Sequence, residues 1–348
     1  MAESVIELNN KINGLLNEVL NDLSILMNKT NDLLILQNLE EIENKTNLLI
    51  DENKKYLGLI KNDSSKLDKS KENKEIIQEK EYDNGKYIGQ LVNDIREGKG
   101  IYYYNHGDKY EGNWKNGLQE GKGTYYFDNG DKYEGEWKLG KKEGKGIYYY
   151  KLGDKYDGEW KNDKKEGKGI YYYKDGERYE GEWKYGKKEG KGIHYYNNDD
   201  KYEGEWKNGD KEGNGIYYYN NGDKYEGEWK NGKKEGKGIY YYNRESCRGD
   251  VYEGGWKANK QEGKGVYYFN NGDIYSGDWR NGKMEGKGLY YYFEGDEYEG
   301  EWKNFNKEGK GIFYFNNGDR RMGNYNNGIA IGKHVILTKI GEVKTENF

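Results

Sequence analysis

Few residues in this 348-residue chain are of the types that do chemistry, and their spacing says what they can do. There are three histidines and one cysteine. His106 sits in an Asn-His-Gly-Asp turn, His194 stands where neighbouring segments carry Tyr, and His334 lies near the C-terminus. Spread along a rod, they are too far apart to share a metal or a triad. Cys247 has no histidine near it in chain order to make it a nucleophile, and a lone cysteine excludes an internal disulfide. Glu-x-Glu pairs such as Glu134/Glu136 and Glu180/Glu182 could hold a proton or a cation, but they recur in nearly every segment. An active site is expected once, so their repetition points to structure. Gly-x-Gly also recurs, always leading into an aliphatic-aromatic run and never into a helix, which argues against a phosphate cradle. No catalytic residue, metal site or cofactor is expected.

The element that repeats is set by the tryptophans. All nine fall in one frame: Trp114, Trp137, Trp160, Trp183, Trp206, Trp229, Trp256, Trp279 and Trp302. Neighbours are 23 residues apart except for one step of 27, between Trp229 and Trp256. Such a period means an array of small units stacked on one another. Numbered from its leading Tyr, the consensus unit is Y-E-G-E-W-K-N-G-K-K-E-G-K-G-I-Y-Y-Y-N-N-G-D-K. The leading Tyr recurs from Tyr87 to Tyr298, and an eleventh unit starts at Arg321. The first unit has Leu91 in place of Trp, and the last has Tyr325 there, as capping units would.

Each unit reads as a β-hairpin. Strand one is exemplified by Lys201 to Lys207 and strand two by Asn214 to Tyr219, joined by a glycine-bearing turn over Asn208 to Gly213. Asn220 to Asp223 turns into the next unit. Strand alternation puts positions 1, 3 and 5 on one face with positions 14, 16 and 18, so rings lie over bare glycine backbone. The expected fold is mainly β: an elongated single-layer antiparallel sheet of about eleven 23-residue hairpins, a rod on the order of 100 Å long. The nine tryptophans belong to its aromatic core.

The opposite face carries Glu at positions 2 and 4, Lys or Arg at 6 and 13, and an aliphatic residue at 15. Position 17 is Tyr in all ten full units: Tyr103, Tyr126, Tyr149, Tyr172, Tyr195, Tyr218, Tyr241, Tyr268, Tyr291 and Tyr314. Simple strand preference accounts for Tyr at this position. An exposed aromatic stripe that docks a partner, a second copy included, accounts for it equally.

Residues 1–62 read as helix, from the stripes Val5, Leu8, Ile12, Leu15, Val19 and Leu39, Ile42, Thr46, Leu49. One long helix and two shorter ones both fit, as do a coiled coil and an intramolecular hairpin. Residues 63–86 read as a charged linker, 87–343 as the array and 344–348 as a tail.

Composition fits this layout. Hydrophobic residues make up only 33%, but 39 tyrosines supply buried rings with a polar end. The 53 glycines recur with the unit. The net charge of -5 lies in residues 1–86, which hold 12 Lys+Arg against 17 Asp+Glu. The rest is neutral, with no basic block and no footprint for nucleic acid. The N-terminus lacks the basic start and apolar core of a signal peptide, and no apolar run approaches the ~20 residues of a membrane span. A cytoplasmic protein, with or without cytoskeletal or membrane association, is expected.

The segments Tyr202-Glu-Gly-Glu-Trp206-Lys-Asn-Gly209 and Glu212-Gly-Asn-Gly215, with their close copies, resemble the MORN repeat over about residues 87–343. The resemblance implies an elongated hairpin sheet and a role as scaffold, in cytoskeletal or membrane-associated assembly, or beside a separate enzyme. The family often has His before the Gly-x-Gly. Here Glu97, Glu120, Glu143 and Glu166 stand there, which argues against anion binding at that position. A non-catalytic protein-interaction scaffold is the leading expectation, self-associating or partner-binding through the helix or the Tyr ladder. Phospholipid binding is the runner-up, weakened by the neutral array, although Lys at positions 6, 9, 10 and 13 could cluster on one edge.

Overall fold

The computed structural model describes residues 77–348 and, before them, four single helical positions, Leu16, Val19, Ile42 and Thr46. The helix expected over 1–62 otherwise lies outside the described residues. From Ile77 onward the chain is a meander of 24 antiparallel strands in one sheet, β1 (Ile77–Tyr82) to β24 (Val343–Asn347). Every strand pairs with its sequence neighbours. β1 falls inside the segment read as linker, and β24 takes up the tail. Both carry the charges expected of edge strands, which is why they read as unstructured. Tyr82 anchors β1, its ring 5.9 Å from that of Tyr102, while Ile77 is 62% exposed.

The central unit shows how the sequence builds a hairpin. β12 (Lys201–Lys207) and β13 (Asp210–Tyr218) are joined by Asn208 and Gly209 alone, both at positive φ (53° and 100°). That is the two-residue turn for which Asn-Gly is suited. The turn is therefore shorter than the six residues read from the sequence. The remaining length is a bulge: Gly204 pairs with Gly215 and Trp206 with Lys211, so Glu212–Asn214 oppose Glu205 alone. Gly213, at φ +65, makes the kink. The bulge has a consequence for packing. It places Lys211 beside Trp206 on the aromatic face.

The inner face is a core of rings on backbone. Tyr202 is fully buried and its hydroxyl donates to the Glu205 carbonyl at 3.0 Å. Its ring covers Gly204 and Gly215; a Cβ on Gly215 would lie 2.6 Å from ring carbons of Tyr202. Trp206 stands edge-on between its own Tyr202 (5.2 Å) and Tyr179 of the preceding unit (5.1 Å). Its indole N–H donates to the Gly192 carbonyl at 3.1 Å. All nine tryptophans are buried and make the equivalent bond to the preceding unit. In the last unit Arg321 replaces the leading Tyr, and buried His334 comes from the facing strand to cover Gly323.

Units are stapled at both edges. Asp200 accepts from the Tyr217 hydroxyl and from the Asn220 amide, each at 2.7 Å. Asp108, Asp131, Asp154, Asp223, Asp250 and Asp273 do the same in their units. Where Tyr becomes His194, the Asp becomes the longer Glu177, which reaches the ring nitrogen at 3.0 Å. Asp200→Ala is expected to cost about 2 kcal/mol, because it strands a largely buried hydroxyl and an amide. A double-mutant cycle with Tyr217→Phe, read by denaturant unfolding, should show about 1 kcal/mol of coupling; additive effects would remove the staple.

Candidate functional site

The face opposite the rings presents the residues left over from the core. Strand alternation brings positions 2, 4, 13, 15 and 17 to it. Two adjoining cavities of about 1680 and 1220 Å³ run along it, from Lys145 to Asn324. Both are lined by outer-face residues of successive hairpins, so this face is concave. Its floor is the paired glycine backbone, such as Gly204 with Gly215, beside an aliphatic rail: Ile170, Ile193, Ile216, Ile239, Val266 and Leu289. Glu180, Glu203 and Glu226 alternate with these aliphatic residues from strand to strand, and Lys168 and Lys191 stand in a second row, opposite Glu182 and Glu205.

The structure places the position-17 tyrosines on this face as a half-exposed ladder. Tyr103, Tyr126, Tyr268 and Tyr291 are between 37% and 43% exposed, and the other six are less so. They are not bare rings. Lys109, Lys132, Lys155, Arg178, Lys201 and Lys224 each lie 4.1 to 4.4 Å over the Tyr paired opposite, from Tyr126 to Tyr241. Lys109, Lys132, Lys201 and Lys224 also bind the Glu two residues on. Each such Tyr is capped by a cation held on both sides, worth about 0.5–1 kcal/mol at an exposed site. Sequence reasoning missed this because the pairing runs across strands; the signal was the Lys that closes each repeat. The cap is lost in two consecutive units, where Val251 and Ile274 face Tyr268 and Tyr291; in the next, Glu297 faces Tyr314, and Arg320 of the following strand lies 5.4 Å from that ring instead. The larger cavity lies over this stretch.

The lysines expected to cluster on one edge are divided among three places. Position 13 lines the groove, and positions 6 and 9 are exposed at the edge of the first turns. Position 10 is inside the aromatic face. The Lys211 ammonium lies 4.5 Å from the Tyr217 ring and about as near Trp229, at 4.9 Å, with Tyr196 and Tyr202 completing a box. Burial lowers its pKa to about 8, as it does for Lys165, Lys188 and Lys234. The two-residue turn and the bulge, not foreseen, put this residue there.

The Glu at position 11 has a structural task. Glu189 accepts from the Asn208 amide of the next turn at 2.9 Å, and the same bond recurs from Glu97 to Glu308. That site is filled by the protein's own turns. His194 is buried between Tyr173 and Tyr196, and burial with Lys188 and Lys211 lowers its pKa to about 3, so it is neutral. His106 lies beside Asp108, His334 in the last unit, and half-buried Cys247 ends the short helical turn Glu245–Cys247 of the longer unit.

The family model described as MORN repeat matches this chain ten times, over residues 87–109, 110–132, 133–155, 156–178, 179–201, 202–224, 225–245, 252–274, 275–297 and 298–320. The chain is a MORN-repeat protein. MORN repeats commonly mediate protein or membrane-lipid interaction, and the family is generally non-catalytic. No curated protein matches it. Among solved structures, the SAS-4 TCP domain of Drosophila Melanogaster, in complex with a proline rich motif of Ana2, is 14% identical. That match covers 46% of this chain and 84% of the other at a TM-score of 0.31. A streptogramin B lyase is 13% identical, covering 78% of this chain and 87% of the other at a TM-score of 0.13. Neither overlay bears on how the MORN array works. Among the described residues no helix is long and apolar enough to cross a membrane.

Proposed function

We propose that this MORN-repeat protein is a non-catalytic scaffold that holds an extended polypeptide partner along its concave face. The observation that carries the reading is the continuity of the groove. The same positions of successive units supply an aliphatic rail with Glu and Lys beside it, at one repeat per about 10 Å. A polypeptide with spaced apolar side chains and charges of both signs is the chemistry that such a floor accepts. A bilayer is flat on this scale, so it does not reach a recessed rail, and a charge-balanced wall gives anionic lipid little to hold.

The test is capture of partners by the full chain and by a variant carrying Ile193→Lys, Ile216→Lys and Ile239→Lys, with anionic and neutral vesicles run in parallel. The lysines should leave the melting temperature within a few degrees, since these side chains face outward, and abolish capture of specific proteins. Vesicle binding that persists at physiological salt, with no difference in captured proteins, would move the phospholipid reading ahead. A second substitution set probes the ladder: Tyr172→Thr, Tyr195→Thr and Tyr218→Thr should weaken capture by about tenfold, each ring removed costing about 0.5–1 kcal/mol of contact. Unchanged capture by both sets would sink the groove as the site.

A further inference from the structure

The neutrality of the array conceals two oppositely charged edges. A meander puts the first turn of every unit at one edge and the second turn at the other. Bonds between successive turns show that they stack: the Gly209 amide donates to the Lys188 carbonyl, and the Asn220 side-chain amide to the Asn198 carbonyl. In the nine first turns from 115–118 to 303–306, position 6 is always Lys or Arg. Position 9 adds Lys141, Lys164, Lys187, Lys233, Lys260 and Lys283. Against these fifteen cations the same turns hold two acids, Asp163 and Asp210. An amide of each turn is also met by one position-11 Glu of the preceding unit, nine in all, so the edge keeps a smaller excess of positive charge. In the nine second turns from 128–131 to 316–319, fourteen acids face four bases.

The cations of the basic edge are left free where others are not, whereas most acids of the other edge are the staple carboxylates, and Asp223 is paired with Arg244. On the outer face Lys109, Lys132, Lys201 and Lys224 each pair with a Glu of their own strand. None of the fifteen edge cations is within 4.0 Å of a carboxylate among the described residues. All fifteen are exposed, as are Asp128, Asp175, Asp199, Glu245 and Glu294 on the other edge.

We infer that two copies of this chain pair side by side, the basic edge of one against the acidic edge of the next. Each unit contributes one turn to each edge, so both edges repeat at the same pitch of about 10 Å. Parallel copies thus meet cation to exposed anion in five of the nine units, at Asp128, Asp175, Asp199, Glu245 and Glu294. A single exposed pair is weak, but these contacts are spread along the array and are formed as one event. The two surfaces differ, so the contact does not close on itself and adds further copies in a flat row. Its strength comes from exposed charges, so salt screens it.

The experiment is sedimentation velocity of the full chain at low salt and at high salt, the latter well beyond the ionic strength at which the Debye length falls to about 8 Å. One variant reverses the basic edge (Lys141→Glu, Lys187→Glu, Lys233→Glu and Lys260→Glu). The other reverses the acidic edge (Asp128→Lys, Asp175→Lys, Asp199→Lys and Glu294→Lys). The wild-type mass should at least double with concentration at low salt and fall back at high salt. Each variant alone should lose this step, and an equimolar mixture of the two should regain it, which also shows that both are folded. Any oligomer formed through residues 1–62 is common to all three proteins and so cancels in the comparison. Wild-type mass independent of salt, or variants that assemble like the wild type, would overturn the proposal. So would a basic-edge variant whose only loss is binding to anionic vesicles, which would assign that edge to a lipid surface.

Discussion

Gly204→Ala is expected to break the array at its middle. The added Cβ would lie 2.5 Å from the Gly215 Cα, 2.5 Å from the Tyr202 hydroxyl and 2.8 Å from the Asn214 carbonyl oxygen. Two of these three neighbours are backbone in the adjacent strand, so no rotamer change relieves them. Either the strands part, at the cost of ladder hydrogen bonds, or the Tyr202 ring leaves its seat and opens the contact with Trp206 and Trp229. The cost is about 3 kcal/mol or more, the range of severe overpacking. In a repeat array that loss is local, because each unit is held by its neighbours only. The expected signature is therefore a second, lower melting step, and proteolytic cleavage between Trp183 and Trp229 that leaves the two flanking pieces intact. Gly209→Ala is the control. Nothing lies within 4 Å of its Cβ, but φ is +100, so the cost is about 1 kcal/mol and the melt stays single. Equal melting curves for Gly204→Ala and wild type would refute the account of why this glycine is there.

The same glycines explain why so much of the fold could be read from residues. A ring needs a place to lie, and a repeat that alternates Tyr-x-Gly-x-Trp with Gly-x-Tyr-x-Tyr supplies rings and places on one face. What escaped reading depends on contacts that alternation does not encode. Turn chemistry alone assigns Asn208–Gly213 to a loop and Lys211 with it; the short Asn-Gly turn with a bulge at Gly213 moves that lysine into the ring box. The caps over Tyr126 to Tyr241 come from residues at the far end of the repeat, which only the hairpin register brings opposite. One contact was legible and went unread: Glu177 replaces Asp in the single unit where His194 replaces Tyr, a compensation within the chain itself. Concavity had no signal at all, since a solenoid's curvature accumulates from small rotations per unit.

Stability of the array is expected to rise between pH 8 and about 10 and to collapse above that, away from the usual optimum of about pH 5–8. Two sets of buried groups produce the peak. Burial depresses Lys165, Lys188, Lys211 and Lys234 to about 8 from an ordinary 10.5. The folded chain therefore sheds these protons before the unfolded chain does. Over that interval the unfolded state holds more protons, so unfolding becomes harder as pH rises. The tyrosines act in the opposite sense. Burial raises Tyr202, Tyr217, Tyr225 and their counterparts well above the ordinary 10.0. Once pH passes 10.0 the unfolded chain ionises while the folded one cannot, and the stability they supply is progressively lost. With several such tyrosines per lysine, the fall is steeper than the rise.

The surrounding rings return part of the cost of burying each ammonium. With the boxes partly open to solvent, each lysine withholds about 1 kcal/mol at neutral pH that deprotonation releases. The chain already contains the neutral alternative, since Met284 fills the same position in another unit and is 4% exposed. Replacing the four lysines by Met should therefore raise the melting temperature at pH 7 and flatten the curve between pH 7 and pH 10. The collapse above pH 10 should remain untouched. Thermal melts across that range decide it. A quadruple variant that melts lower than wild type at pH 7 would mean that the rings hold the cation at a net gain, and the boxes would then be stabilising features of each unit.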